Sequence, residues 1–177
     1  MRELEQTQVP YMFVGSHASS FHGYPRTTAD IDIVIDPSHD SLDALLARLP
    51  EDQYYVDGDT ARDALRRRSM FNVIHYESGF KVDLIVRGMD EFDREEFGRR
   101  IQLPFRGNER WVATAEDTIL SKLDWSKRGQ SERQFGDAVN IARIQAQALD
   151  RDYLKRWAQP LSIDPLLEKL FIEVDQR

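Results

Sequence analysis

The sequence predicts an α/β chain that changes character near residue 113, an α/β first half followed by a wholly helical tail. Three observations carry this. Short β-branched or aromatic runs, each closed by Gly or Pro, recur up to about residue 112. Amphipathic segments with helical spacing lie between them. Beyond Ala113 only the helical period remains. The shift in composition places expected domain bounds at 1–112 and 113–177.

Residues 1–9 are polar and read as a helical lead-in. The apolar run 11–14 is too short for a stable helix and is closed by Gly15, so it reads as a buried strand. The segment 16–22 (SHASSFH) is rich in small residues, with Ser16 as its expected N-cap and Gly23 and Pro25 as its stop. A helix starting directly after a buried strand turns free N–H groups toward the mouth of a sheet, where phosphate binds. Arg26, Thr27 and Thr28 follow; Arg26 suits a phosphate or a carboxylate, and Thr28 suits bracing of the loop.

The next strand, DIDIVI, alternates: Asp30, Asp32 and Val34 share one face, and Ile31, Ile33 and Ile35 the other. Pro37 closes it. Ser38 or Asp40 caps the helix SLDALLARL, which Pro50 stops, and a short strand is expected within QYYV. Residues 59–68 make a short helix with an Arg-rich end. The runs SMFNVIHY and FKVDLIV, joined by ESG, form a hairpin. A charged helix covers 90–99, and a second hairpin pairs IQLPF with RWVAT through a turn at Gly107-Asn108. In the tail, Thr114 and Asp117 have capping-box spacing ahead of ILSKLDWSK. Ser131 opens a second helix with Phe135, Val139, Ala142 and Ala146 as its stripe. Helices at 151–158 and 164–174, separated by Pro160, complete the chain.

Hydrophobic residues make up 41% of the 177, with nine Phe and three Trp, enough for a sizeable core in one domain with a helical appendage. No apolar run approaches the roughly 20 residues of a membrane span, and the N-terminus lacks a signal peptide's apolar core. The absence of cysteine excludes disulfides, thiolate catalysis and Cys-type zinc. A cytoplasmic location without a membrane partner is expected. The net charge of −7 gives no global field for nucleic acid, and Arg66–Arg68 and Arg99–Arg100 read as solvated helix faces. Trp125 and Trp157 are expected to pack in the helical core.

The chemistry concentrates in few residues. Asp30 and Asp32 point the same way from one strand, close enough to repel unless a cation lies between them. On the FKVDLIV strand, Lys81, Asp83 and Ile85 share a face, leaving Asp83 a carboxylate amid apolar neighbours. Either that face is solvated, as on an edge strand, or Asp83 is a third metal carboxylate beside Asp30 and Asp32. His17 and His22, five residues apart, do not share a helix face as a metal pair does and read as packing residues.

Gly15-Ser16, thirteen intervening residues, Asp30-Ile31-Asp32-Ile33, and then Asp83 on a later strand resemble the DNA polymerase beta superfamily of nucleotidyltransferases. More narrowly, VGSHASSFHGYPRTTADIDIVI is similar to bacterial nucleotidyltransferases of the AbiEii toxin type, in which R-x-T-x-D-h-D commonly precedes the strand; here it is Arg26, Thr28, Asp30 and Asp32. The tail resembles the same group through Lys122, Arg133 and Asp137, with Gln134 where an acid is usual. The likeness covers roughly residues 11–145.

The resemblance implies a nucleotidyltransferase fold: a mixed sheet carrying the acidic triad, helices on one side, and the helical tail closing a nucleotide cleft. It implies transfer of a nucleoside monophosphate from ATP, GTP or CTP to a protein or RNA (tRNA) hydroxyl. Asp30, Asp32 and Asp83 would be catalytic and would hold Mg²⁺ or Mn²⁺. Gly15, Ser16, Arg26, Thr28, Lys122, Arg133 and Asp137 would surround the nucleotide, with Lys122 neutralising the triphosphate. A toxin-like role with an antitoxin partner also follows. Two rivals remain: a non-catalytic binding or antitoxin protein on the same fold, and a metal-dependent nuclease, for which only His75 is at hand as an extra ligand.

Overall fold

A computed structural model describes residues 1–25, 28 and 30–176. In chain order the elements are α1 (Arg2–Gln6), β1 (Tyr11–Phe13), α2 (Gly15–Phe21), β2 (Asp30–Ile35), α3 (His39–Ala47), β3 (Tyr54–Tyr55), α4 (Gly58–Arg67), β4 (Met70–His75) and β5 (Lys81–Val86). There follow α5 (Glu91–Arg99), β6 (Ile101–Phe105), β7 (Asn108–Val112), α6 (Ala115–Gly129), α7 (Glu132–Gln145), α8 (Arg151–Leu161) and α9 (Asp164–Asp175). The chain divides into two compact units, Met1–Val14 with Thr27–Val112, and Gly15–Arg26 with Ala113–Arg177.

The first unit carries a seven-stranded sheet in the order β3-β4-β5-β2-β1-β7-β6. It is mixed. β2 runs parallel to β5 and antiparallel to β1, and β1 is parallel to β7. The remaining pairs, β3–β4, β4–β5 and β6–β7, are antiparallel. The period of two separates the faces of its central strands. Ile33, Ile35, Phe71, Val73, Leu84 and Val86 alternate onto one side and are buried. Burying each such side chain contributes about 1.5–3 kcal/mol. Leu42 and Leu45 of α3 and Ala61, Ala64 and Leu65 of α4 join this core. At the C-terminal end of β2, Asp36 accepts from Arg68 at 3.3 Å and from Arg87 at 2.9 Å. The Arg-rich end of α4 is thereby tied to β2, while Arg66 and Arg67 pair with Asp63 on the exposed helix face.

The second unit is helical. Side-chain caps begin three of its helices: Thr114 accepts from the Asp117 amide, Ser131 from Gln134 and Asp150 from Tyr153. Each such cap is worth about 1 kcal/mol. Ile119, Leu120, Leu123, Ile141, Leu154 and Leu170 form its centre. Two buried polar side chains there are matched: the Asp117 carboxylate accepts from Thr114 at 2.6 Å and from the Tyr153 hydroxyl at 2.5 Å, and His22 has a backbone partner. His22 is 6% exposed, with Nε2 2.7 Å from the Ala113 carbonyl oxygen, so the proton sits on Nε2 and is donated.

Several local expectations change. Ser16 is not an N-cap: α2 begins at Gly15, whose φ of +59° makes the sharp exit from β1, and Ser16 lies inside the helix. The β6–β7 turn centres on Arg106 and Gly107, both at positive φ, and Asn108 already belongs to β7. Pro160 sits within α8, in the last turn, and the break falls at Ser162 in the left-handed region. The α7 stripe stops at Ala142, since Ala146 is exposed beyond the helix. Trp157 packs in the core as expected, whereas Trp125 is 63% exposed on α6.

Burial depresses the His22 imidazole pKa below its ordinary 6.5, against the raising effect of the Ala113 bond. The unfolded chain therefore takes up a proton near that value while the native state resists it, so stability falls as pH drops through and below about 6.5. The slope from one such proton is at most about 1.4 kcal/mol per pH unit. His22→Gln, which keeps a donor for Ala113, should flatten the fall in urea midpoint between pH 7.5 and 5.5. His17, also depressed by burial, should retain part of it.

Candidate active site

The sheet unit assembles its acids by strand register. In the parallel β2–β5 pair, Asp30 stands opposite Lys81 and Asp32 opposite Asp83. On the other side of β5, Asn72 stands opposite Asp83. Register partners share a face, so Asp30, Asp32, Asp83, Lys81 and Asn72 occupy the side of the sheet away from the Ile33–Leu84 core. β5 lies between β4 and β2 and is not an edge strand, which decides for Asp83 as a neighbour of Asp30 and Asp32.

The charges then meet. Lys81 Nζ lies 3.1 Å from Asp83 Oδ2 and 3.3 Å from Asp30 Oδ2. Asn72 Nδ2 donates to Asp83 Oδ1. The Asp83 side chain is 11% exposed and that of Asp30 48%, so Asp83 forms the floor of the group and Asp30 its open side. The Asp83 bond, and after it the Asp30 bond, raise the Lys81 pKa above its ordinary 10.5, outweighing desolvation, and the ammonium stays charged. Thr28 braces the start of β2: its hydroxyl donates to the Asp30 carbonyl at 3.1 Å and accepts from the Asp30 amide. Asp32 is half-buried on the same strand.

An oxygen-only carboxylate set suits a hard divalent cation such as Mg²⁺ or Mn²⁺. The Lys81 ammonium shows that Asp30 and Asp83 accommodate a positive centre between their oxygens. Among the described residues, no three His, Cys, Asp or Glu side chains gather around one such point. The donors fit the cation, with Lys81 lying between two of them.

Arg26 lies outside the described residues. Gly15 and Ser16 belong to the helical unit, as do Lys122, Arg133 and Asp137. Lys122 and Asp137 are joined to each other: Nζ is 3.0 Å from Asp137 Oδ2 and 3.1 Å from Gln134 Oε1, with side chains only 5% and 6% exposed. The ammonium expected to meet a triphosphate is therefore held in a buried link between α6 and α7. Arg133 is exposed on α7. His22 serves packing, and His75, at the end of β4, is 2.9 Å from the Ser78 hydroxyl.

Two members of the group carry no role in the sequence reading. Lys81 is already on the Asp83 face by alternation, and its contact with Asp30 follows only from the parallel pairing. Asn72 is the polar break in MFNVIH, and its partner is fixed by the β4–β5 register.

No protein-family profile matches the chain, and no curated protein matches it by sequence. Solved structures do. The lincosamide antibiotic adenylyltransferase LnuA, in a lincomycin-bound crystal structure, superimposes with a TM-score of 0.55 at 15% identity over 80% of this chain and 90% of that one. An antigenic nucleotidyltransferase-like protein from Paracoccidioides brasiliensis gives 0.57 at 17% identity, over 96% and 87%. ANT(2")-Ia in complex with adenylyl-2"-tobramycin gives 0.57 at 11% identity, over 91% of each chain. The chain has the nucleotidyltransferase fold.

Removing one partner of the Lys122–Asp137 pair takes its counter-ion from a buried charge, at a cost of about 3–5 kcal/mol. Lys122→Met and Asp137→Leu should each show that loss in urea denaturation. The double variant should recover most of it, since an apolar pair of similar volume removes both desolvation penalties.

Proposed function

We propose that the protein is a metal-dependent nucleotidyltransferase that moves a nucleoside monophosphate from an NTP to an acceptor hydroxyl. The observation that carries this is the parallel register setting Asp32 beside Asp83 and Asp30 beside Lys81, on the nucleotidyltransferase fold. Asp30, Asp32 and Asp83 are the catalytic residues of the proposal and its Mg²⁺ or Mn²⁺ ligands. A divalent cation bound there supplies neutralisation of phosphate charge and acidifies an acceptor hydroxyl.

The chain's own residues do the rest. Thr28 fixes the backbone at Asp30 and so the direction of the first carboxylate. Asn72 fixes Asp83 through Oδ1, leaving Oδ2 to complete the cation site or receive the acceptor's proton. The acceptor oxygen forms a bond to the α-phosphorus as the bond to pyrophosphate breaks, and pyrophosphate leaves. Gly15 and Ser16 enter as phosphate contacts on the strength of the family resemblance, supported by the positive-φ turn at Gly15. Arg26 and Arg133 join them on that resemblance. Lys122 and Asp137, tied together, brace α6 against α7.

For the acceptor, the AbiEii-type pattern of Arg26, Thr28, Asp30 and Asp32 supports a protein or RNA hydroxyl, including tRNA, and with it a toxin-like role and an antitoxin partner. A small hydroxylated antibiotic is the second reading, favoured by the lincomycin and adenylyl-tobramycin complexes on this fold.

Mg²⁺ or Mn²⁺ with ATP, GTP or CTP should raise the melting temperature, because ligands that bind the native state alone stabilise it. The Asp30→Asn/Asp32→Asn variant should lose that shift. No shift in the wild type with any NTP and metal contradicts the enzymatic reading. Intact-mass measurement of a protein mixture, tRNA, tobramycin and lincomycin after incubation should show nucleotide-sized added mass on one acceptor class. RNA cleavage in its place would indicate a nuclease.

A further inference from the structure

The sheet unit holds a lysine bridged to two acids and the helical unit one bridged to a single acid, and the two bridges differ in kind. Lys122 is locked: its side chain and that of Asp137 are 5% and 6% exposed. Lys81 is not. Its side chain is 34% exposed, and Asp30, one of its two acids, is 48% exposed. A half-solvated ion pair is weak and its ammonium regains water easily on leaving, while the flexible four-carbon stem allows it to swing clear. Lys81 reaches both acids for two separate geometric reasons. It lies two residues before Asp83 on β5, hence on the same face, and it is the register partner of Asp30 on β2. Asp83 does not need it for orientation, since Asn72 holds the other carboxylate oxygen.

We propose that Lys81 is a positioning residue that serves as an internal stand-in for the cation. It holds Asp30 and Asp83 together in the ion-free protein and must withdraw for a divalent cation to enter. This rests on the proposed function in taking Asp30 and Asp83 as cation ligands. A positive charge within 3.3 Å of both carboxylates opposes a second cation in the same place. Lys81 thereby lowers the affinity of the empty protein for metal.

The test is Mn²⁺ binding to the full chain, followed by electron paramagnetic resonance of free Mn²⁺, with thermal unfolding measured with and without the ion. Lys81→Met should bind Mn²⁺ about tenfold or more tightly than wild type, as expected when a unit charge a few ångströms away is removed. Without metal it should melt lower than wild type, its two carboxylates then lacking a shared cation, and it should gain more from added Mn²⁺. Lys81→Arg, which restores the charge, should return to the weak binding of the wild type, and Lys81→Gln should behave as Lys81→Met. A side chain that merely packs would give none of the affinity gain. Equal or weaker Mn²⁺ binding by folded Lys81→Met and Lys81→Gln overturns the inference and leaves the proposed function standing. Absence of Mn²⁺ binding by both wild type and Lys81→Met, with or without nucleotide, overturns both.

Discussion

The parallel pairing of β2 with β5 is the constraint on which the site depends. Both strands bear an apolar set that must face the core, Ile33 and Ile35 on one and Leu84 and Val86 on the other. That requirement alone fixes which way the remaining side chains point, because a shift of one residue would carry Asp30 and Asp32 into the apolar layer and the isoleucines out of it. The register then sets Asp32 against Asp83 and Asp30 against Lys81. Charged residues are brought together by the burial of hydrophobic ones.

Like charges on adjacent strands cost energy, and the protein meets that cost differently at the two ends of β2. At the C-terminal end, Asp36 accepts from two guanidiniums, Arg68 and Arg87, with Arg87 giving both Nε and Nη2 to the same oxygen. That carboxylate is structural. At the N-terminal end a single ammonium is shared between two carboxylates, Asp30 and Asp83, and the open one of the pair meets solvent. Two positive partners for one acid tie an end of the sheet together, whereas, among the described residues, Asp30 and Asp83 share one ammonium between them. Such an imbalance is costly in a structure with nothing further to bind and useful in one that takes up cations.

Most of the elements were legible from residues alone, because strands and helices announce themselves by period and their ends by Ser, Asp, Gly and Pro. The alternation in DIDIVI and KVDLIV gave both acidic faces, and the resemblance to nucleotidyltransferases joined them. What the sequence withheld has a common cause. Lys81 meets Asp30 through a strand order in which β5 sits beside β2 and not beside an edge, and periodicity within a strand carries no information about its neighbour. Lys122 and Asp137, fifteen residues apart on successive helices, meet by the packing of α6 on α7, so each looked available while each was engaged. Pro160 misled for a local reason: in the last turn of α8 its missing amide is tolerated, and Ser162 in the left-handed region ends the helix.

The same physics explains why the fold and a proposed reaction class come within reach sooner than a proposed acceptor. Carboxylates on neighbouring strands recognise cations and, through them, phosphate, and these are common to every nucleotide whatever it is transferred to. Structures with this fold at 15% and 11% identity include one bound to lincomycin and one to adenylyl-2"-tobramycin, two different molecules on one fold. An acceptor is distinguished by shape and hydrogen-bonding groups, and such contacts are specific only where buried polar atoms would otherwise go unpaired. Asp30, Asp83, Lys81 and Asn72 are engaged with one another, and their charges answer to a cation and not to the shape of an acceptor. In the proposed reaction, selection of the acceptor falls to residues outside the acidic group, which can differ while the register of β2 and β5 stays fixed.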